Sequence, residues 1–273
     1  MNTKTILLSL LCFVGITTAT AQSDVWVWKG GSAVKTEMAD SITFTAPASG
    51  NPQVDEPTEV DEPTGPTRDL AEATTKDIGK IIGEDGKIYA TKEDAEAAGT
   101  TAVAMIAYVG NDAETNSTYN HGLALALKDV SGNITWCSQF SATCLGTRYS
   151  SVSAVKGDMA GLANTDALVN QTSHTHAAAT VARNYQYADG VIAGAHPKGT
   201  SDWFLPSAGQ WHKMVTAAGG YANLTTNAGL QSYFYWSSSE YNADGAWIFF
   251  GGFGGWSGAY KDSGYLVRAS LAF

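Results

Sequence analysis

The sequence is poor in charge, and poorest in positive charge. Charged residues make up 15% of the chain, where an average soluble domain carries roughly 25%. Lys and Arg number 16 against 26 acidic residues, for a net charge of −10. That balance excludes nucleic acid as the main partner, because phosphate binding needs Lys and Arg in excess. It also excludes a polybasic membrane-surface role. Three cysteines are too few for a disulfide scaffold. No apolar run beyond the first 21 residues is long enough to cross a bilayer. Proline is scarce outside one stretch: five of the seven (Pro47, Pro52, Pro57, Pro63, Pro66) fall within 20 residues.

Aromatic residues and glycine are plentiful. The 273 residues are 44% hydrophobic and include 29 Gly, 8 Trp, 12 Tyr and 9 Phe, enough to bury a sizeable core. The aromatics crowd toward one end: Tyr233–Phe273 holds 13 of the 29.

Residues 1–21 read as a signal peptide. Lys4 supplies the positive start, Ile6 to Ile16 a short apolar run, and Ala19-Thr20-Ala21 a small-residue cleavage site that leaves Gln22 first. The rival reading, a lipid anchor on Cys12, is disfavoured by the bulky Leu11 before it. The mature chain is therefore expected to be exported, to the cell surface, periplasm or medium. Residues 22–46 form a short β segment: Val25-Trp26-Val27-Trp28, a Gly30-Gly31 turn, and Ser41-Ile42-Thr43-Phe44. Asp40–Phe44 resembles a string near the start of many secreted proteins of certain Gram-negative bacteria. It suggests attachment to a cell-envelope or pilus partner through a sheet edge. Residues 47–70 hold the proline cluster and the repeat Val-Asp-Glu-Pro-Thr at Val54–Thr58 and Val60–Thr64, an extended, self-repelling spacer.

From residue 71 onward helices and strands mix, so the fold class is α+β. Lys87–Tyr89, Thr101–Val109 and Leu123–Val130 read as strands. Thr91-x-x-Asp94 and Ser207-x-x-Gln210 are capping boxes that open helices ending at Gly99 and at Gly219-Gly220. Asp158–Val169 and His176–Tyr185 look helical. Past Gly220 no helix is expected. Tyr233–Ser238, Ala246–Phe250 and Tyr265–Phe273 read as strands joined by glycine-rich loops. In the last strand Val267, Ala269, Leu271 and Phe273 should face the core, with Arg268, Ser270 and Ala272 on the other side.

The words Tyr235-Trp236-Ser237-Ser238-Ser239-Glu240-Tyr241, Ala246-Trp247, Lys261 and Tyr265-x-Val267-Arg268-Ala269 occur in order. With Trp203-Phe204-Leu205-Pro206-Ser207-Ala208-x-x-Trp211 upstream, they resemble the bacterial C-type-lectin-like domains. The nearest resemblance within that group is to variable proteins of diversity-generating retroelements. The likeness is clearest over 200–273 and extends to about 71. It implies a C-type-lectin-like domain over 71–273: a mixed antiparallel sheet, two main helices and long irregular loops. It also implies a variable-type region over 241–266. In such systems template adenines are miscopied, so AAC codons yield many residues but never Trp, Lys, Met, Gln or Glu. From Tyr241 to Leu266 the only excluded types are Trp247, Trp256 and Lys261.

The resemblance implies a ligand-binding face of Tyr241, Asn242, Asp244, Gly245, Ile248, Phe250, Phe253, Ser257, Tyr260, Asp262, Tyr265 and Leu266. Strand alternation should put Trp247 and Phe249 in the core and leave Ile248 and Phe250 as an exposed apolar patch, a usual mark of a binding site. Tyr, Phe and Trp with Gly and Ser is the mix that antibody loops use. Glu240 is expected to brace the base of this loop. The calcium-site words of sugar-binding animal lectins do not occur, so calcium is not carried over.

No catalytic residue, metal or cofactor is expected. His174-Thr175-His176 reads as structural, for want of a third ligand at suitable spacing. Cys137 and Cys144 enclose a short loop, and the spacing leaves a disulfide and two free thiols equally open. The function expected is an exported, adhesin-like receptor for a surface protein or glycan. The alternative is a structural pilus-tip or cell-envelope subunit without a diversified site.

Overall fold

The computed structural model describes residues 25–29, 32–36 and 68–273, apart from Asn116, Phe140 and Phe253. The expected leader and cleavage site, Asp40–Phe44 and nearly all of the expected spacer lie outside these residues. The chain divides into two units, Met1–Thr58 and Glu59–Phe273. In the first, β1 (Val25–Lys29) and β2 (Ser32–Thr36) pair antiparallel.

The second unit is α+β, with two sheets. The six-stranded sheet runs in the order β13-β7-β6-β4-β5-β3. Its strands are β3 (Arg68–Asp69), β4 (Ile81–Gly83), β5 (Lys87–Tyr89), β6 (Ala102–Val109), β7 (Gly122–Ala126) and β13 (Ser270–Ala272), paired antiparallel throughout. Of the residues expected in the spacer, Arg68 and Asp69 pair with β5 and Leu70 is buried.

The five-stranded sheet runs β11-β10-β9-β12-β8. It contains β8 (Val130–Thr135), β9 (Phe234–Glu240), β10 (Gly245–Phe250), β11 (Gly255–Tyr260) and β12 (Gly264–Val267), with β12 parallel to β9. Six helices are described: α1 (Lys92–Ala97), α2 (Val152–Val155), α3 (Gly161–Val169), α4 (Ala177–Arg183), α5 (Ala208–Ala217) and α6 (Tyr221–Ala228).

The two capping boxes form. Thr91 and Asp94 exchange side-chain and backbone bonds at α1. At α5 the Ser207 hydroxyl accepts from Gln210 N and Gln210 Oε1 accepts from Ser207 N. The start of α5 is also pressed against the loop before α3: a Cβ at Gly209 would lie 2.2 Å from the Asp158 carbonyl oxygen, so only glycine fits. Helix α5 packs on β6, β9 and β10, and the Trp211 ring stacks on Phe249 at 5.0 Å. Trp136, Trp203, Trp236 and Trp247 each donate the indole N–H to a backbone carbonyl at 2.7–2.8 Å, so these rings are buried with their polar atom satisfied.

Three expectations fail here. Helix α6 exists where none was expected. Its sequence is polar, and only Leu224 and Ala228, one turn apart, reach the core. Gly229 closes it in the left-handed conformation at φ 60. The glycine-rich loop expected after Phe250 contains a strand, β11, whose six residues pair along the full length of β10. The last expected strand is two strands in different sheets, and both of its faces are buried. The break at Arg268-Ala269 turns Arg268 inward, where it is 1% exposed and bonds Asp129 and the carbonyls of Ala126, Ala228 and Gly229.

Candidate functional site

The β10–β11 hairpin forms one wall of a groove of about 580 Å³. Eight of the expected face residues line it: Tyr241, Asn242, Asp244, Gly245, Ile248, Ser257, Tyr260 and Tyr265, joined by Phe234, Gly258, Ala259 and Ser263. Strand β11 is the sheet's edge, with Ser257, Gly258 and Tyr260 exposed and its other residues half-buried. Tyr260 is 62% exposed, the most prominent of the face's described aromatics.

Alternation along β10 sorts its residues as expected, but the exposed apolar patch does not exist. Trp247 and Phe249 face the helices, and Phe249 meets Trp211. Ile248 faces the groove side but is only 3% exposed, packed within the main core beneath it. Phe250 is half-buried against Phe234, ring centroids 4.7 Å apart. The cause is the company β10 keeps: β11 on one side and β9, with its aromatic rings, on the other. Leu266 is likewise a core residue, 8% exposed. Asp262 is exposed but does not line the groove. Phe253 lies outside the described residues.

The groove rests on a polar brace. Asn242 Oδ1 accepts from the amides of Asp244 and Gly245, at 2.9 and 2.7 Å, and shapes the β9–β10 turn. The Asp244 carboxylate accepts from the Ser141 hydroxyl. Beneath the turn, Glu240 and Lys261 form an ion pair in which both side chains are fully buried. Glu240 also accepts from the amides of Cys144 and Leu145, each at 2.9 Å. Lys261 also donates to the carbonyls of Ala142 and Ala243 and lies 5.1 Å from the Trp136 ring centre. The expected bracing role of Glu240 is thus visible as hydrogen bonds.

Below that brace lies a cluster the sequence did not reveal. Cys137 and Cys144 are free thiols, sulfur to sulfur 3.9 Å, not a disulfide. His176 joins them: one of its ring nitrogens and the two sulfurs all lie within 4.8 Å of one another. Burial is the main reason the His176 pKa falls to about 4 and the Cys144 thiol rises to about 12. His174 meets His176 only ring edge to ring face, 6.3 Å between centres.

Elsewhere, Glu114 sits beside the α5 cap and accepts from Leu162 N and Gln210 Nε2. Burial raises its pKa to about 7 despite these bonds. Among the described residues no helix is long and apolar enough to cross a membrane.

The architecture defines an α+β protein whose C-terminal hairpin borders an aromatic groove. No protein-family model matches the chain, and no curated protein matches it. Among solved structures it is similar to a fimbrial protein from Bacteroides ovatus, at 19% identity and a TM-score of 0.45. The similarity covers 72% of this chain and 48% of that one, so the chain spans about half the length of that protein.

Proposed function

We propose that the protein is an exported ligand-binding protein of C-type-lectin-like fold, whose groove between β9, β10 and β11 takes a surface protein or glycan. The observation that carries this is the convergence of eight of the expected face residues on one groove, with Tyr260 displayed at its rim. Aromatic stacking and apolar contact supply affinity, and Asn242 and Asp244 at the groove edge supply polar selection. The restricted alphabet of 241–266 supports diversification by a retroelement. Export rests on the leader-like residues 1–21. No catalysis is assigned to the groove, and residues 22–46 serve attachment.

The second reading is a pilus-tip or cell-envelope subunit. The open edge of β11 favours it, because an edge strand invites pairing with another chain.

Sequencing the end of the gene in independent isolates separates the two readings. Diversification predicts substitutions confined to 241–266, with Trp247, Trp256 and Lys261 unchanged. It also predicts a near-copy of the gene's end downstream, with AAC codons at the changed positions, beside a reverse-transcriptase gene. An evenly spread pattern and no template copy would leave the subunit reading.

A further inference from the structure

We propose that Cys137, Cys144 and His176 form a binding site for a zinc-class divalent cation beneath the candidate groove. Three kinds of observation carry it. The first is spacing. Two thiolates each ~2.3 Å from a zinc ion at the tetrahedral angle stand roughly 3.8 Å apart, and the two sulfurs here are 3.9 Å apart. A ring nitrogen of His176 completes the triangle within 4.8 Å.

The second is an orphaned donor atom. His176 is 2% exposed, and its Nδ1 is buried with no hydrogen-bond partner. The ring's other nitrogen, Nε2, lies 3.1 Å from Gln171 Oε1. That carbonyl oxygen can only accept, so the proton sits on Nε2 and a lone pair is left on Nδ1. This is the tautomer a metal ligand needs, held by the kind of outer partner that metal-bound histidines have.

The third is the set of donors and charges around the sulfurs. The Gln139 backbone N–H donates to Cys137 Sγ at 3.4 Å, and Lys261 Nζ lies 3.7 Å from Cys144 Sγ. The Lys261 charge is balanced by Glu240. Two thiolates and a divalent cation then sum to zero, which suits a buried site better than a monovalent ion would. Binding releases the two thiol protons to solvent. Three protein ligands leave a fourth position for water.

The test uses the full chain carrying Cys12→Ser, reduced and kept from oxygen, with Co²⁺ as a spectroscopic stand-in for Zn²⁺. One equivalent of Co²⁺ should produce a thiolate-to-cobalt charge-transfer band, and one equivalent of Zn²⁺ should remove it. Zn²⁺ should also slow alkylation of the two thiols in the same protein, a readout that needs no ligand variant. Gln171→Ala keeps all three ligands and should weaken Zn²⁺ binding ~10–100-fold. Cys137→Ser should abolish the band. A folded, reduced protein that gives no thiolate band, or whose alkylation ignores Zn²⁺, overturns the proposal. So does a Cys137–Cys144 disulfide in the folded protein that reductant cannot open.

Discussion

The C-terminal forty residues contain two regions of similar composition and opposite fate. Strands β9 and β12, with Lys261 and Arg268, are built into the sheet interior, and their charged groups are paired out of water. Strand β11 is drawn from the same Gly, Ser and aromatic alphabet, yet stands at the sheet edge with Ser257, Gly258 and Tyr260 exposed. Position in the sheet, rather than residue type, decides which aromatic is core and which is displayed. Strand β10 lies between the two, and its alternate residues serve both sides.

That contrast can be broken most severely at Lys261. Lys261→Ala leaves Glu240 charged and buried, and should cost about 3–5 kcal/mol in denaturant unfolding. A cost near zero would mean that the pair does not anchor the groove. Ile248→Ala sharpens the boundary: as a buried residue under the groove it should lose ~2–5 kcal/mol, whereas a displayed residue would lose almost nothing.

A third effect belongs to the fixed region through pH. Burial holds the folded pKa of Glu114 at about 7, against 4.5 for an exposed glutamate. Between these values the folded state keeps a proton that the unfolded chain has lost. The stability it contributes is full below the unfolded value and is lost as pH rises through the folded one. The loss should reach about 3 kcal/mol at most. Unfolding followed across this range should show the decline in the native protein and a flatter profile in Glu114→Gln. At the displayed end, Tyr260→Ala should change stability by less than ~0.5 kcal/mol. A larger loss, measured by thermal unfolding, would move Tyr260 into the scaffold.

Local signals were legible in the sequence. Ser207 with Gln210, and Thr91 with Asp94, announce their helices because a cap is made within four residues. Helix α6 was not legible: it is short and mostly polar, and only Leu224 and Ala228 of its residues are fully buried. Strand β11 was hidden because Gly255 and Gly258 have no strand preference, and pairing with β10 supplies what they lack. A Cβ at Gly258 would lie 2.7 Å from the Tyr241 ring, so that glycine is set by packing no local pattern reveals. Arg268 reads as an outward residue in an unbroken strand. Only the passage of the chain between the sheets, with Asp129 waiting there, shows why it is buried. The Cys137, Cys144 and His176 cluster was illegible for the same reason: its members are brought together by the fold and match no ligand spacing in sequence.

The central claim is that the tail divides into a fixed scaffold and a displayed face. The most direct measurement is folding stability for every single substitution from Tyr233 to Phe273, read by resistance to proteolysis. Tolerance should concentrate at Ser257, Tyr260 and Asp262, and intolerance at Trp236, Glu240, Trp247, Lys261 and Arg268. Equal sensitivity across both sets would contradict the division.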